Sequence, residues 1–187
     1  MNFSIRDIVL IALFSSIIAV LGIFPPLVLP VISVPITAQS MGVMLAAGVL
    51  GAKRGTLAVA LFLLLVLLGL PLLSGGRGGL SVFVGPSAGF LFGWLIGAFV
   101  TGWCVERAMP HLTFWKCFIC CVVGCIGAIY LIGVPWLALI SEIGLAKALI
   151  GSAVFIPGDL VKAALAASAM QVIAKSYPIL DAFESKG

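Results

Sequence analysis

The strongest chemical signal in this sequence is a pair of opposite charges set three residues apart in an apolar stretch. In Phe155-Ile156-Pro157-Gly158-Asp159-Leu160-Val161-Lys162, Asp159 and Lys162 stand at i and i+3 and share one helix face. Pro157 is a favoured first-turn residue, so Asp159 lies where the helix dipole favours an anion. A second cluster is Gly75-Gly76-Arg77-Gly78-Gly79. Glycines let backbone N–H and C=O groups approach a ligand closely, and Arg77 adds a fork of donors. A third is Val34-Pro35-Ile36-Thr37-Ala38-Gln39, whose Gln39 amide needs partners in apolar surroundings.

Two further patterns invite chemistry and lack what it requires. Gly85-Pro86-Ser87-Ala88-Gly89 matches the G-x-S-x-G nucleophile elbow, but a serine nucleophile needs a base. The chain has one histidine, His111, expected on the opposite side of the bilayer. The plainer reading is that Pro86 and Ser87 open a helix while the glycines allow close packing. Cys117, Cys121 and Cys125 form a stripe along one helix face, with Cys104 and Cys120 nearby. Burying thiolates without cations is costly, so these read as packing residues with no metal expected. No Gly-Lys pair occurs, so there is no P-loop and no nucleotide or other cofactor is expected. The sequence therefore points away from an enzyme.

The elements that must position these groups cross a membrane. Hydrophobic residues make up 63% of the 187 positions, charged residues 9%, and mean hydropathy is +1.35. A soluble domain carries about a quarter charged residues. The ten lysines and arginines are scattered, so the net charge of +4 does not form a nucleic-acid patch. A lipid bilayer accounts for the composition, and the length allows a single transmembrane domain over 1–187.

Positions 8 to 52 hold no charge across 45 residues. One helix of that length would extend about 67 Å, over twice the hydrocarbon thickness of about 30 Å. The stretch must contain two spans, with Pro25, Pro26, Pro30 and Pro35 marking the break. The pattern predicts helices at about 7–24, 36–51, 56–73, 86–105, 116–134 and 157–176. Trp136 to Ile150 is apolar but short and holds Glu142 and Lys147, which suits an interfacial or re-entrant helix. The fold class is thus an all-α bundle of six transmembrane helices with an extra short helix between five and six. The first helix has Pro25 and Pro26 where a cleavage site would stand, so it is not expected to be a signal peptide. Ala12, Ser15, Ser16 and Ala19 put small residues four apart on helix one, where another helix can approach.

Taken together, Val34-Pro35-Ile36-Thr37-x-Gln39, Gly75-Gly76-x-Gly78-Gly79, Gly85-Pro86-x-x-Gly89-Phe90, Pro135-Trp136-Leu137 and Ile156-Pro157-Gly158-Asp159-Leu160-x-Lys162 resemble the BioY family. Its members are biotin-specific substrate-capture (S) components of energy-coupling-factor (ECF) transporters. The resemblance implies capture of biotin from outside, with a transmembrane coupling subunit and two ATP-binding-cassette ATPases supplying energy. It also implies ligand contacts from Gln39, Arg77, Gly78, Phe90, Asp159 and Lys162. The family's helix-one Ala-x-x-x-Ala docking motif stands here as Ala12-x-x-x-Ser16, and a position often filled by a hydroxyl-bearing aromatic is Phe90. Biotin's ureido ring, thioether ring and carboxylate suit such a set, Asp159 accepting from ureido N–H groups and Gln39 or Arg77 donating to the carbonyl. Which group meets which end stays open at this point. Alternatives are an S-component for another small vitamin, a membrane scaffold lacking an outward pocket, and an intramembrane protease.

The basic residues orient the bundle. The termini and even loops hold Arg6, Lys53, Arg54, Arg107, Lys116, Lys175 and Lys186, whereas the odd loops hold Arg77 and Lys147. This distribution predicts cytoplasmic termini, and the resemblance implies a bacterial cytoplasmic membrane. In a variant lacking the native cysteines, Lys53→Cys should be labelled by an impermeant maleimide only from the cytoplasmic side; labelling from outside alone would invert the topology.

Overall fold

The computed structural model describes residues 4–26 and 34–176. Pro30 and Lys186 of the foregoing reading lie outside the described residues. Helix α1 spans Ile5–Val20 and runs on as a 3-10 turn over Leu21–Ile23. Ser4 caps it reciprocally with Asp7, satisfying two of the amides that a helix start leaves free.

The helical stretch Gln39–Leu67 is interrupted at Gly51, whose φ of 80° and ψ of −178° reverse the chain in a single residue. The reversal divides it into α2 (39–50) and α3 (52–67). Its sharpness shows in the packing, since a Cβ on Gly55 would lie 2.6 Å from the Ala47 Cα. At the far ends of the two arms, Gln39 of α2 bonds to Leu72 and Ser74 just beyond α3. The sequence predicted a longer turn around Lys53 and Arg54; glycine's access to positive φ makes that loop unnecessary. The exposed first amide of α3, that of Ala52, donates to the Glu106 carboxylate at 2.8 Å. Helix α3 ends at Leu67, short of the predicted Leu73, because Gly69 at φ 102° and Pro71 end the helical run.

Helix α4 spans Ala88–Ala108, entered through a 3-10 turn at Leu80–Phe83. Helix α5 runs over Phe114–Ile140 and contains a π-helical segment at Val122–Ala128. It passes through Pro135 and reaches beyond the predicted end at 134. Trp136 therefore belongs to a span, and the short helix expected at Trp136 to Ile150 is instead α6, Leu145–Ala153. Membrane helices tolerate an internal proline where neighbouring groups take up the freed carbonyl. Helix α7 spans Ile156–Ser176, one residue earlier than predicted.

Five helical stretches are long and apolar enough to cross a membrane, and the hairpin at Gly51 makes six spans of them. Among the described residues the regular structure is helical, with an isolated bridge between Leu73 and Arg77. The core is built from Phe62, Ile18, Met44, Leu50, Leu137 and Met170 together with small residues that draw the helices close. Helix α4 carries Gly89, Gly93 and Gly97 at four-residue steps, and each lies against α5. Such a seam replaces the hydrophobic drive that lipid removes with close van der Waals contact. Helices α2 and α3 extend only about 18 and 24 Å. Both are shorter than a hydrocarbon core of about 30 Å, and irregular backbone at membrane depth is tolerated only where it is buried or lines a cavity.

A methyl group at position 51 would sit in a region that only glycine occupies freely, at a cost of about 1–3 kcal/mol. Gly51→Ala should lower the thermal unfolding midpoint in detergent, and an unchanged midpoint would mean that the turn is not held at these dihedrals.

Candidate functional site

A cavity opens at the end of the bundle where α2, α4 and α7 begin. Its volume is about 80 Å³. Its walls bring together residues far apart in sequence, among them Thr37, Ser40, Arg77, Ser87, Phe90, Trp94, Tyr130, Phe155, Asp159 and Lys162.

The carboxylate of Asp159, 9% exposed, stands in the first turn of α7 and lines the cavity. One oxygen accepts from Lys162 Nζ at 2.8 Å and the other from the Tyr130 hydroxyl at 2.6 Å. Lys162 also donates to Ser40 Oγ at 3.1 Å. Each carboxylate oxygen keeps a free acceptor direction and the ammonium keeps one proton, so this cluster can take further donors and an acceptor. The predicted i, i+3 pair is present, and its partners extend to α2 and α5. A scaffold reading required the two charges to pair only with each other; they also bond Tyr130 and Ser40 and line a cavity at one end of the bundle.

Arg77 stands on the loop that closes onto α3. The bridge between Leu73 and Arg77 is made in both directions, at 3.0 and 3.2 Å, around Gly75 and Gly76 at φ 80° and 70°. Gly78 lies against the Leu70 carbonyl, where a Cβ has no room, so its smallness serves loop packing. The Arg77 guanidinium donates to the Ser74 carbonyl at 3.3 Å and to Ser87 Oγ at 3.5 Å. Burial lowers its pKa from the usual guanidinium value, yet an arginine remains charged. No carboxylate pairs with it among the described residues. Two cations and one anion line the cavity, which leaves it one positive charge in excess.

Gln39 is fully buried, borders the cavity and has its hydrogen-bonding groups engaged by backbone. Both its N–H groups are engaged, by the Ile18 carbonyl at 3.1 Å and the Leu72 carbonyl at 3.0 Å. Its oxygen accepts from the Ser74 amide at 2.9 Å. The side chain ties α1, α2 and the glycine loop together, and Gly22 leaves the space for it. Ser74 adds a bond from its hydroxyl to the Phe24 carbonyl at 2.7 Å.

Phe90 is buried and stands edge-on to Tyr130, ring centroids 6.1 Å apart at 83°. Tyr130 beside it brings a phenol hydroxyl to the cavity wall. That residue escaped the sequence reading, although it is one of only two tyrosines and sits inside an apolar span. A buried phenol needs a partner, which was the available signal. The π segment just before it, Val122–Ala128, is the kind of irregularity that accompanies functional sites in helices.

Ser87 precedes the first residue of α4 and lines the cavity, whereas His111 lies beyond the other end of that helix. A helix of 21 residues separates them by about 30 Å, so no serine–histidine pair forms. Cys117, Cys120, Cys121 and Cys125 are buried free thiols; Cys125 contacts Thr101 Oγ1 at 3.3 Å, and no metal-ligating group of three forms among the described residues. On α1, Ala12 and Ser16 lie on the exposed face, where Ser16 satisfies its hydroxyl on the Ala12 carbonyl. Ser15 is buried within the chain and Ala19 is half-buried, so the four small residues do not share one outward face.

Fold and site together define a multi-pass membrane protein built to hold a small polar-ended solute at one end of its bundle. The BioY family model matches residues 1–179. A biotin transporter BioY of Rhizobium etli is 50% identical over 184 residues, covering 96% of this chain and 98% of its own length. A probable biotin transporter BioY of Bacillus subtilis is 42% identical over 181 residues, 97% of either chain. The crystal structure of an S-component for biotin from an ECF-type ABC transporter matches with a TM-score of 0.89 at 35% identity, over 92% of both chains. The chain belongs to the BioY family.

Gln39→Leu should strand two buried carbonyls and one amide, each worth about 1–3 kcal/mol when unsatisfied. Hydrogen exchange at the Ser74 amide should quicken at least about tenfold as the loop loosens. Parent-like protection there would mean that Gln39 does not hold the loop.

Proposed function

We propose that this protein captures biotin from the extracytoplasmic side and serves as the substrate-specific S-component of an ECF-type ABC transporter. The observation that carries the reading is the charge pattern of the cavity, a loop-borne Arg77 without an acidic partner facing the same space as the Tyr130–Asp159–Lys162 cluster. Biotin has one anionic end and one neutral end rich in N–H donors. Arg77, with donors to spare, takes the carboxylate through charge-assisted hydrogen bonds. Asp159 accepts from the ureido N–H groups, and the remaining proton of Lys162 meets the ureido carbonyl. Phe90, Trp94 and Phe155 cover the bicyclic body.

In this reading the cavity faces outward, and the end of the bundle bearing Arg6, Lys53, Arg54, Arg107, Lys116 and Lys175 faces the cytoplasm, which supports cytoplasmic termini. Nothing in the chain hydrolyses ATP, so a coupling subunit and two ABC ATPases supply the energy. The exposed Ala12 and Ser16 are the proposed contact for the coupling subunit, which needs small residues to approach closely.

Isothermal calorimetry in detergent tests the ligand, biotin against other small vitamins, and a protein that prefers another vitamin refutes the assignment. The double variant Asp159→Asn with Lys162→Met tests the site. A purely structural pair replaced in this way is often neutral in stability. Lost ligand hydrogen bonds are not restored by removing the second charge, and a charge-assisted bond is worth about 1.5–3 kcal/mol. The double variant should stay monodisperse and bind biotin at least about tenfold more weakly. Parent-like affinity would make the pair structural and move the pocket elsewhere.

A further inference from the structure

We infer that Gly133 is a specificity-determining position: it holds the Phe90 ring against α5 and so sets the width of the cavity beside Tyr130. Gly133 lies outside the residues lining the cavity and acts through one that does. A Cβ built on Gly133 would come within 2.5 Å of Phe90 Cδ1 and 2.6 Å of its Cγ. The ring therefore rests directly on bare backbone. Its other side borders the cavity, and its edge contact with Tyr130 reaches the phenol whose hydroxyl bonds Asp159.

A methyl group at 133 can be accommodated either by parting α4 from α5 or by moving the ring. Parting is opposed all along the seam. Gly89 lies against Trp136, whose indole N–H donates to the Gly85 carbonyl at 3.0 Å. A Cβ on Gly93 would meet the Ile129 Cα at 3.0 Å, and one on Gly97 would meet the Gly124 carbonyl oxygen at 3.1 Å. Separating the helices at one level means loosening these contacts too, whereas the ring has a void beside it. The displaced ring narrows the space next to Tyr130 and Asp159. Given the proposed biotin site, on which this inference rests, that space holds the rigid fused ring system and not the flexible tail. Narrowing it penalises a rigid bicycle more than an open-ring analogue such as desthiobiotin.

Calorimetry of the detergent-purified protein with biotin and desthiobiotin decides the matter. One methylene in a snug pocket is worth about 10–200-fold, so the biotin-to-desthiobiotin affinity ratio should fall about tenfold in Gly133→Ala. Adding Phe90→Leu should restore most of that ratio, because the smaller side chain vacates the volume that the methyl group takes. Equal weakening toward both ligands would make Gly133 a packing glycine only, and so would an unchanged ratio or a double variant that is not restored. If Gly133→Ala does not fold, Phe90→Leu alone decides. A ratio lowered by about tenfold supports the ring as the selective wall, and a parent-like ratio overturns it. Failure of the parent protein to bind biotin is a separate outcome, which removes the proposed function before the ratio is measured.

Discussion

A carboxylate at membrane depth has lost its water and must recover hydrogen bonds from the protein around it. Asp159 does so from two directions: the ammonium of Lys162 and the hydroxyl of Tyr130. Those partners come from α7 and α5, and Lys162 passes the connection to Ser40 on α2. Three helices are therefore tied to one charge. The arrangement also explains why the cavity is polar at its floor, since a carboxylate and an ammonium with unused hydrogen-bonding directions leave part of their solvation to whatever enters.

Bringing those helices to hydrogen-bonding distance demands small residues elsewhere. The steps Gly89, Gly93 and Gly97 let α4 lie against α5, and Gly102 lies against the turn at Gly51 and Ala52. At that turn the chain reverses at one residue and leaves an orphan amide, which Glu106 satisfies from α4. Short arms result, and short arms leave room at the cavity end of the bundle for backbone that is not helical. The glycine loop occupies that room, with Arg77 at its closing bridge.

Gln39 links this loop to the first helix. Its amide joins the Ile18 carbonyl of α1 to Leu72 and Ser74, one turn of chain before Arg77. The same α1 exposes Ala12 and Ser16 toward the lipid. A change at the loop is thus connected by direct hydrogen bonds to the helix proposed to meet the coupling subunit. The physical content of that link is a two-ended clamp on buried backbone groups, which neither end can leave without exposing an unsatisfied carbonyl or amide.

Much of this was legible in the amino-acid sequence. Hydropathy, proline breaks and charge spacing determined a six-span bundle, because lipid forces apolar runs into helices of set length. An ion pair at i, i+3 and an arginine among glycines singled out residues that the fold brings to one cavity, because buried charge is too costly to be incidental. Other features depend on contacts between residues distant in the chain, which periodicity cannot report. The bond between Tyr130 and Asp159 spans 29 positions, and the clamp from Gln39 to Ser74 spans 35. Which groups satisfy the Gln39 amide, which of Ala12, Ser15, Ser16 and Ala19 are exposed, and where the chain turned near Lys53 were all decided by tertiary structure. Each turned on which neighbouring group lay within about 3 Å to satisfy a buried polar atom, or on whether a side chain could fit at all.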